Sequence, residues 1–183
     1  FGVFFIIATM AESILQEKQE GTFRRLLAAP LPKPVLLAGK LLPYYLVNLI
    51  QIAVMFGVAC LLFGMALGQP VALLAVSLAL AAAATGMGVL VATFGKTQAQ
   101  ISGLASLLTL TMSAIAGCMV PSFIMPDFVQ TLAHFTPHGW AMQGYLDVLV
   151  RGYGLAGVGT EVAALLGFAA AFFLVGVWRF RFD

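Results

Sequence analysis

The sequence predicts an all-α membrane protein, a polytopic bundle of helices, and three observations support this fold class. Of the 183 residues, 62% are hydrophobic and only 9% are charged, whereas charged residues make up about 25% of soluble domains. The long apolar stretches match the roughly 20 helical residues that cross a hydrocarbon core. The basic residues are also distributed unevenly between the connections, as membrane topology requires.

We treat residues 1–183 as a single transmembrane domain. The chain opens in apolar sequence without Met, and residues 1–15 are too short to span, so we expect them to be the tail of a helix that starts before this sequence. Complete spans are predicted by length at residues 41–63, 71–94, 101–120 and 162–178.

The segment between the first two apolar stretches, residues 16–34, holds the only concentrated run of charge. Gly21 is a poor residue for a helix interior and Thr22 can cap a new helix, so one helix is predicted to end near Glu20 and another to begin at Thr22. The new helix has an apolar face of Phe23, Leu26, Leu27 and Pro30. The alternating prolines that begin at Pro30 then stop it.

The order of these residues resembles the cytoplasmic coupling segment of the type 2 ABC exporter permeases, which docks into a cleft of an ATPase subunit. The match consists of Glu17-x-x-Glu20-Gly21-Thr22 with Leu26 and Pro30, then Gly39-Lys40-Leu41-Leu42-Pro43-Tyr44. The alternative is an ordinary basic loop that anchors the chain by charge. The resemblance implies that ATPase coupling rests on Glu17, Glu20, Gly21, Thr22, Phe23, Arg24, Arg25, Leu26 and Pro30, and force transmission on Lys40 and Pro43.

The resemblance also implies the partners. These are a cytoplasmic ABC ATPase, which would bind ATP and Mg²⁺, and a second permease subunit, while this chain itself holds no cofactor. The remaining partner is the lipid bilayer, in the cytoplasmic (inner) membrane, with six helices expected in the family fold. The net charge of +2 reflects topology and gives no reason to expect nucleic acid.

Orientation follows from the basic residues. With residues 12–40 on the cytoplasmic side, alternate crossings place all but Arg151 of the nine basic residues inside. The inside set is Lys18, Arg24, Arg25, Lys33, Lys40, Lys96, Arg179 and Arg181.

A few polar residues lie within the predicted spans and are candidates for a substrate path. They are Asn48 and Gln51 on one helix and Ser106 and Thr109 on another, with Ser102 one turn before Ser106. Lipid offers such side chains no partner, so they face protein or a water-filled path. The alternative, which the sequence favours, is that they form hydrogen bonds between helices.

The external segment, residues 121–159, is predicted to form short pieces broken by Pro121, Pro126 and Pro137. Trp140 suits a headgroup boundary, and residues 140–150 are helical in pattern but too short to span. The segment resembles the re-entrant helices that cap the outer side of the translocation path in the same family.

Several patterns in the sequence do not predict a site. His134 and His138 have the spacing of a zinc pair, but Pro137 interrupts it and no further ligand pattern follows. Gly95-Lys96-Thr97 lacks the earlier glycine of a phosphate-binding loop. Asp147 and Arg151 are expected to form a weak surface pair, Glu161 to be a solvated helix start or an attractor of cations, and Cys60 and Cys118 to stay unpaired.

The sequence thus predicts a non-catalytic permease subunit of an ATP-driven exporter, for a hydrophobic or amphipathic cargo such as a drug-like compound, a lipid or a polysaccharide. The alternative is a secondary transporter or channel subunit that is not coupled to ATP. It would be expected to carry ionisable residues deep in its spans, and an intramembrane enzyme would need a convergent catalytic set.

Overall fold

The computed structural model describes residues 2–20, 33–120 and 124–179, and these residues form helices joined by turns. A 3₁₀ turn, Gly2–Phe5, leads into the first α-helix, and a second 3₁₀ turn, Leu155–Val158, precedes the last. The prediction of an all-α membrane helix bundle is confirmed. The α-helices are α1 Ile6–Gln19, α2 Lys33–Phe63, α3 Pro70–Ala92, α4 Gln98–Ile115, α5 Asp127–Ala133, α6 Pro137–Leu149 and α7 Gly159–Arg179.

Helix α3 lies at the centre of the bundle, packed closely against α1 and α7. A Cβ at Gly86 would lie 2.9 Å from the carbonyl oxygen of Ala169 on α7, and one at Gly88 would lie 2.7 Å from the sulfur of Met10 on α1. Apolar side chains gain nothing by leaving lipid for another apolar surface, so close backbone approach through small residues provides the packing. The glycines of α3 therefore set the spacing of the three helices.

Three helical stretches within the described part of the chain are long and apolar enough to cross a membrane: Gly39–Phe63, Pro70–Ala92 and Leu155–Arg179. The remaining predicted span, residues 101–120, corresponds to helix α4, which has 18 residues and ends at Ile115. Two glutamines in its first turn and its hydroxyl side chains lower its hydropathy. It is therefore shorter and less apolar than its neighbours.

The two ends of α3 define the two ends of the bundle, roughly 34 Å apart at 1.5 Å per residue. At the α2–α3 turn, Gly68 adopts a φ of 61°, and a Cβ there would overlap the carbonyl oxygen of Val148 on α6. Helix α6 therefore lies against this end. The α3–α4 turn, around Gly95, forms the opposite end.

Candidate coupling and translocation site

The structure describes the two flanks of the predicted coupling segment, whereas residues 21–32 lie outside the described part of the chain. Helix α1 ends at Gln19, next to the predicted break, and α2 begins at Lys33. Glu20 lies in the turn after α1, where its carboxylate accepts a hydrogen bond of 2.8 Å from the Gln16 amide. The remaining predicted coupling residues lie outside the described part of the chain: Gly21, Thr22, Phe23, Arg24, Arg25, Leu26 and Pro30.

An ion pair joins the two flanks. The ammonium of Lys40 on α2 contacts the carboxylate of Glu17 on α1, with side-chain exposures of 15% and 33%. From the sequence we expected these residues to have separate roles, in force transmission and in ATPase docking. The structure brings them together, so the end of α1 and the first turns of α2 lie side by side.

Two further cations of the predicted inner side lie near this pair, at the same end of the bundle. The Gln19 amide donates to the backbone carbonyl of Lys96 at 3.5 Å, which places the end of α1 beside the α3–α4 turn. The Arg179 guanidinium lies 4.6 Å from the centroid of the Phe94 ring, which brings the end of α7 there too. Arg151 lies just beyond Val148, toward the opposite end.

A further polar contact ties α1 to α4 near this end: the Ser102 hydroxyl contacts the Glu12 carboxylate. Sequence reasoning missed this contact, since neither residue belongs to a motif and they are far apart in the chain. Pro43, predicted to transmit force, lies inside α2, which continues through it without a break. The helix that begins at Lys33 is thus one continuous element down to Phe63.

Asn48 and Gln51, one turn apart on α2, have different surroundings. The Gln51 amide donates to the backbone carbonyl of Gly2 at 3.1 Å. Asn48 is fully buried, and neither atom of its amide has a hydrogen-bond partner among residues 2–20, 33–120 and 124–179. Gln51 therefore has a structural partner, whereas the polar groups of Asn48 are unused in this arrangement.

Ser106 and Thr109 of α4 do not point to a common surface. Thr109 is 1% exposed and its carbonyl accepts a hydrogen bond from the buried Ser113 hydroxyl, whereas Ser106 is exposed. Of these two residues, only Thr109 faces the interior of the bundle.

His138 is a buried residue whose surroundings sequence reasoning did not anticipate. It lies on α6, outside the three candidate spans, but it is 1% exposed and stacks on Phe4, with ring centroids 3.7 Å apart. Its two ring nitrogens have no hydrogen-bond partner in the described structure. Burial lowers the pKa of His138 from 6.5 to about 3, so the ring is neutral at physiological pH.

Asp147 and Glu161 are also buried, in contrast to the expectation of solvated side chains. Asp147 has a side-chain exposure of 4% and pairs with Arg151, which is half exposed, and with the Gln143 amide at 3.4 Å. Glu161, in the first turn of α7, is 8% exposed because it lies beside Gly144 of α6. The weak surface pair is thus a partly buried one, since α6 packs against α3 and α7.

In the predicted external segment, prolines and a threonine cap mark where the short helices begin. Pro126 precedes α5 and Pro137 occupies the first turn of α6, while the Thr136 hydroxyl accepts from the Gly139 amide at 3.1 Å. The Trp140 indole donates to the carbonyl of His134 at 2.7 Å and so joins α6 to the end of α5. Pro121 lies outside the described residues.

Tyr145 fixes α6 against the membrane helices. Its hydroxyl shares a hydrogen bond of 3.1 Å with Ser77 on α3, and its ring meets Phe56 of α2 edge-on at 5.4 Å. Burial raises the pKa of Tyr145 to about 12, partly offset by this hydrogen bond. The side chain therefore stays protonated and can donate at any physiological pH.

Comparison with known proteins gives the family. A model described as ABC-2 family transporter protein matches residues 1–178. This chain belongs to the ABC-2 transporter family. The permease is 28% identical to the linearmycin resistance permease protein LnrN of Bacillus subtilis, over 99% of this chain and 48% of LnrN. It is 26% identical to the inner membrane transport permease YhhJ of Escherichia coli, over 96% of this chain and 47% of YhhJ.

The chain spans about half the length of the curated relatives it matches. No solved structure matches it significantly. The membrane subunits of this family are not catalytic, because ATP hydrolysis takes place in a partner ATPase. The assignment to a transmembrane ABC transporter subunit therefore agrees with the predicted function at the level of the family.

Within the described residues, no group of three or more His, Cys, Asp or Glu side chains could hold a metal ion. Cys60 and Cys118 are both free. The polar features of this permease are thus the paired flanks of the coupling segment and the isolated buried groups of its interior.

Proposed function

We propose that this permease is the transmembrane subunit of an ATP-driven exporter, coupled to its ATPase through the segment between Glu17 and Lys40. The observation that carries the proposal is the ion pair between these residues. Because it joins α1 to α2 at the base of the segment, a force applied there reaches both helices together.

The small contribution of the ion pair to the free energy of folding indicates that its role is to hold α1 and α2 in place. A partly exposed pair contributes about 0.2–1 kcal/mol to folding, which is small compared with the packing of α3 against its neighbours. Reversing one charge instead sets two like charges in contact, which costs on the order of 4 kcal/mol at an effective dielectric constant of 20. The two flanks would then separate while the rest of the bundle remains folded.

The partners and cargo belong to the same proposal. We place the permease in the cytoplasmic membrane as a multi-pass protein, with a cytoplasmic ABC ATPase that binds ATP and Mg²⁺ and with a second permease subunit. Large apolar side chains on α2, Leu61 and Phe63 among them, are exposed and suit lipid or that second subunit. We keep a hydrophobic or amphipathic cargo as part of the proposal, and the relative named for linearmycin resistance makes linearmycin the first probe to test.

The test is a charge swap in the full-length permease, which is co-expressed with its ATPase. We expect Glu17→Lys and Lys40→Glu each to lower ATP-driven transport at least tenfold, with normal membrane insertion. The double variant Glu17→Lys/Lys40→Glu should restore most of the transport, because the pair is re-formed with reversed polarity. The transport rate of each variant is measured as ATP-dependent uptake into inside-out vesicles, with linearmycin as the first compound.

Two results would contradict coupling through the ion pair between Glu17 and Lys40. One is a double variant as defective as the single variants. The other is single variants that transport at the wild-type rate. A matched control is Ala99→Lys, at an exposed position in the first turn of α4, which adds a charge at the same end of the bundle without touching the ion pair and should leave transport unchanged.

A secondary transporter driven by protons is the second candidate, favoured by the burial of Glu161 within the apolar stretch Leu155–Arg179. Glu161 lies in the first turn of α7, near one end of this stretch, and a buried carboxyl group inside a membrane segment can mark a proton path. Glu161→Gln separates the two: it abolishes transport driven by a proton gradient, but it leaves ATP-driven transport close to the wild-type rate.

A further inference from the structure

The interior of the bundle satisfies most of its polar side chains locally. The Thr85 hydroxyl donates to the carbonyl of Ala81 at 2.8 Å, Ser77 pairs with Tyr145, and Gln51 donates to Gly2. Hydroxyl groups that bond to their own helix are tolerated in lipid for this reason. Asn48 differs, because both its donor and its acceptor are left without a partner in the described structure.

Asn48 also lies deep in the membrane and faces the protein. It is nine residues after Gly39, the start of the span, which places it roughly 14 Å from that end at 1.5 Å per residue. Ile52, one turn later on the same face, belongs to the hydrophobic core, and the partly buried Tyr44 and Tyr45 pack against that core. The opposite face of α2 carries exposed apolar side chains such as Ile50 and Val54.

A buried amide with no hydrogen bond costs stability, and an apolar side chain of similar size at this position would avoid the cost. Unsatisfied groups of this kind are rare in folded proteins and call for an explanation. One explanation is a second arrangement of the bundle in which the amide is solvated. A transporter has such an arrangement, since its path is closed in one state and open in another.

We propose that Asn48 lines the translocation path of this permease and that the path is closed around it in the present structure. The inference rests on the proposed transport function. An asparagine amide carries no charge and offers both a donor and an acceptor, and Ile52, its neighbour on the same helix face, is apolar and buried. The part of a cargo that it binds is therefore an uncharged hydrogen-bonding group, such as a hydroxyl or an amide, on an otherwise apolar molecule.

The first experiment measures whether water reaches position 48 during transport. In a Cys60→Ala/Cys118→Ala background, the Asn48→Cys variant is treated with N-ethylmaleimide in the complex with the ATPase, with and without ATP and Mg²⁺. We expect labelling to rise at least fivefold with ATP, because the thiol reacts only when hydrated. The matched control is Ala84→Cys, at a fully buried position on α3, which should stay unlabelled in both conditions.

The second experiment needs no ATPase. We expect Asn48→Leu to raise the unfolding temperature of the purified permease by about 2–6 °C, because it removes an unsatisfied buried amide. Gln51→Leu, one turn away, should lower that temperature, because its amide bonds the carbonyl of Gly2. A lower unfolding temperature for Asn48→Leu would show that Asn48 stabilises the closed bundle and would overturn the inference.

The labelling results separate the two proposals. If the Asn48→Cys variant stays unlabelled in a complex whose wild-type form transports with ATP, the role of Asn48 is overturned and the proposed function is left standing. Labelling of both the Asn48→Cys and the Ala84→Cys variants shows general opening of the bundle and also overturns that role. A wild-type complex without ATP-driven transport overturns the proposed function, and this inference with it.

Discussion

At the scale of single residues, burial decides the chemistry of the ionisable side chains. His138 stacks on Phe4 and its nitrogens are unbonded within the described structure, whereas His134, four residues earlier, is exposed and bonds the carbonyl of Gln130 through its ring. The same residue type therefore has two different roles within one turn of spacing. The burial of His138 has a consequence for how stability depends on pH.

Stability should fall as the pH drops below about 6.5. Above that pH, the His138 ring is neutral in both the folded and the unfolded state and does not change the stability. Below it, the ring takes up a proton in the unfolded chain but not in the folded protein, where the pKa of His138 is about 3. At pH 5 the loss is about 2 kcal/mol. His138→Phe keeps a ring against Phe4 and should remove this part of the profile, measured as unfolding temperature between pH 5 and 8.

The control for this prediction is Phe135→Leu, which changes an exposed ring without changing a titratable group and should leave the slope of the profile as in the wild type. An identical slope in the wild type and in His138→Phe would mean that His138 is protonated when folded.

At the scale of helices, the contact between α3 and α7 depends on small side chains at defined positions. A Cβ at Gly176 of α7 would lie 2.8 Å from a methyl carbon of Val89 and 3.2 Å from the backbone nitrogen of Leu90. Gly167, on the same helix, has open space around its Cβ position. The two glycines therefore form a matched pair for testing how tightly the helices pack.

Gly176→Leu should destabilise the permease by about 1–3 kcal/mol, because the added side chain forces the two helices apart. Gly167→Leu should be neutral or stabilise by up to about 1 kcal/mol through the better helix propensity of leucine. Thermal unfolding of the purified variants measures both. Equal effects of the two substitutions would contradict the close contact at Gly176.

At the scale of the whole molecule, the charged residues define the two ends of the bundle. Lys40, Lys96 and Arg179 are brought to one end by contacts between α1, the α3–α4 turn and α7. Arg151 lies at the other end with Asp147. The same grouping is expected from the predicted crossings, and the assignment of the first end to the cytoplasm stays a prediction.

The orientation is tested by cysteine labelling with a membrane-impermeant maleimide, again without Cys60 and Cys118. Lys96→Cys should be labelled from the cytoplasmic side only, in inside-out vesicles, and Arg151→Cys from the external side only, in intact cells. Both residues lie in exposed regions, so the side of labelling reports topology. Labelling of both from one side would show that the predicted crossings are wrong.

The sequence alone determined the class of protein, the approximate helices and the family. Hydropathy, span length and the order of glycine, threonine and proline in the coupling segment are local properties, and they are read directly along the chain. The end of α2 at Phe63 and the start of α3 at Pro70 follow from such local signals.

Only the tertiary structure decided which polar side chains are buried and which meet. The pairing of Glu17 with Lys40 joins residues on opposite flanks of a segment, and the stacking of His138 on Phe4 joins the two halves of the chain. Asn48 and Gln51 share a helix and a residue class, yet only one finds a partner in the described structure. These outcomes depend on neighbours supplied by distant helices, and no local pattern encodes them.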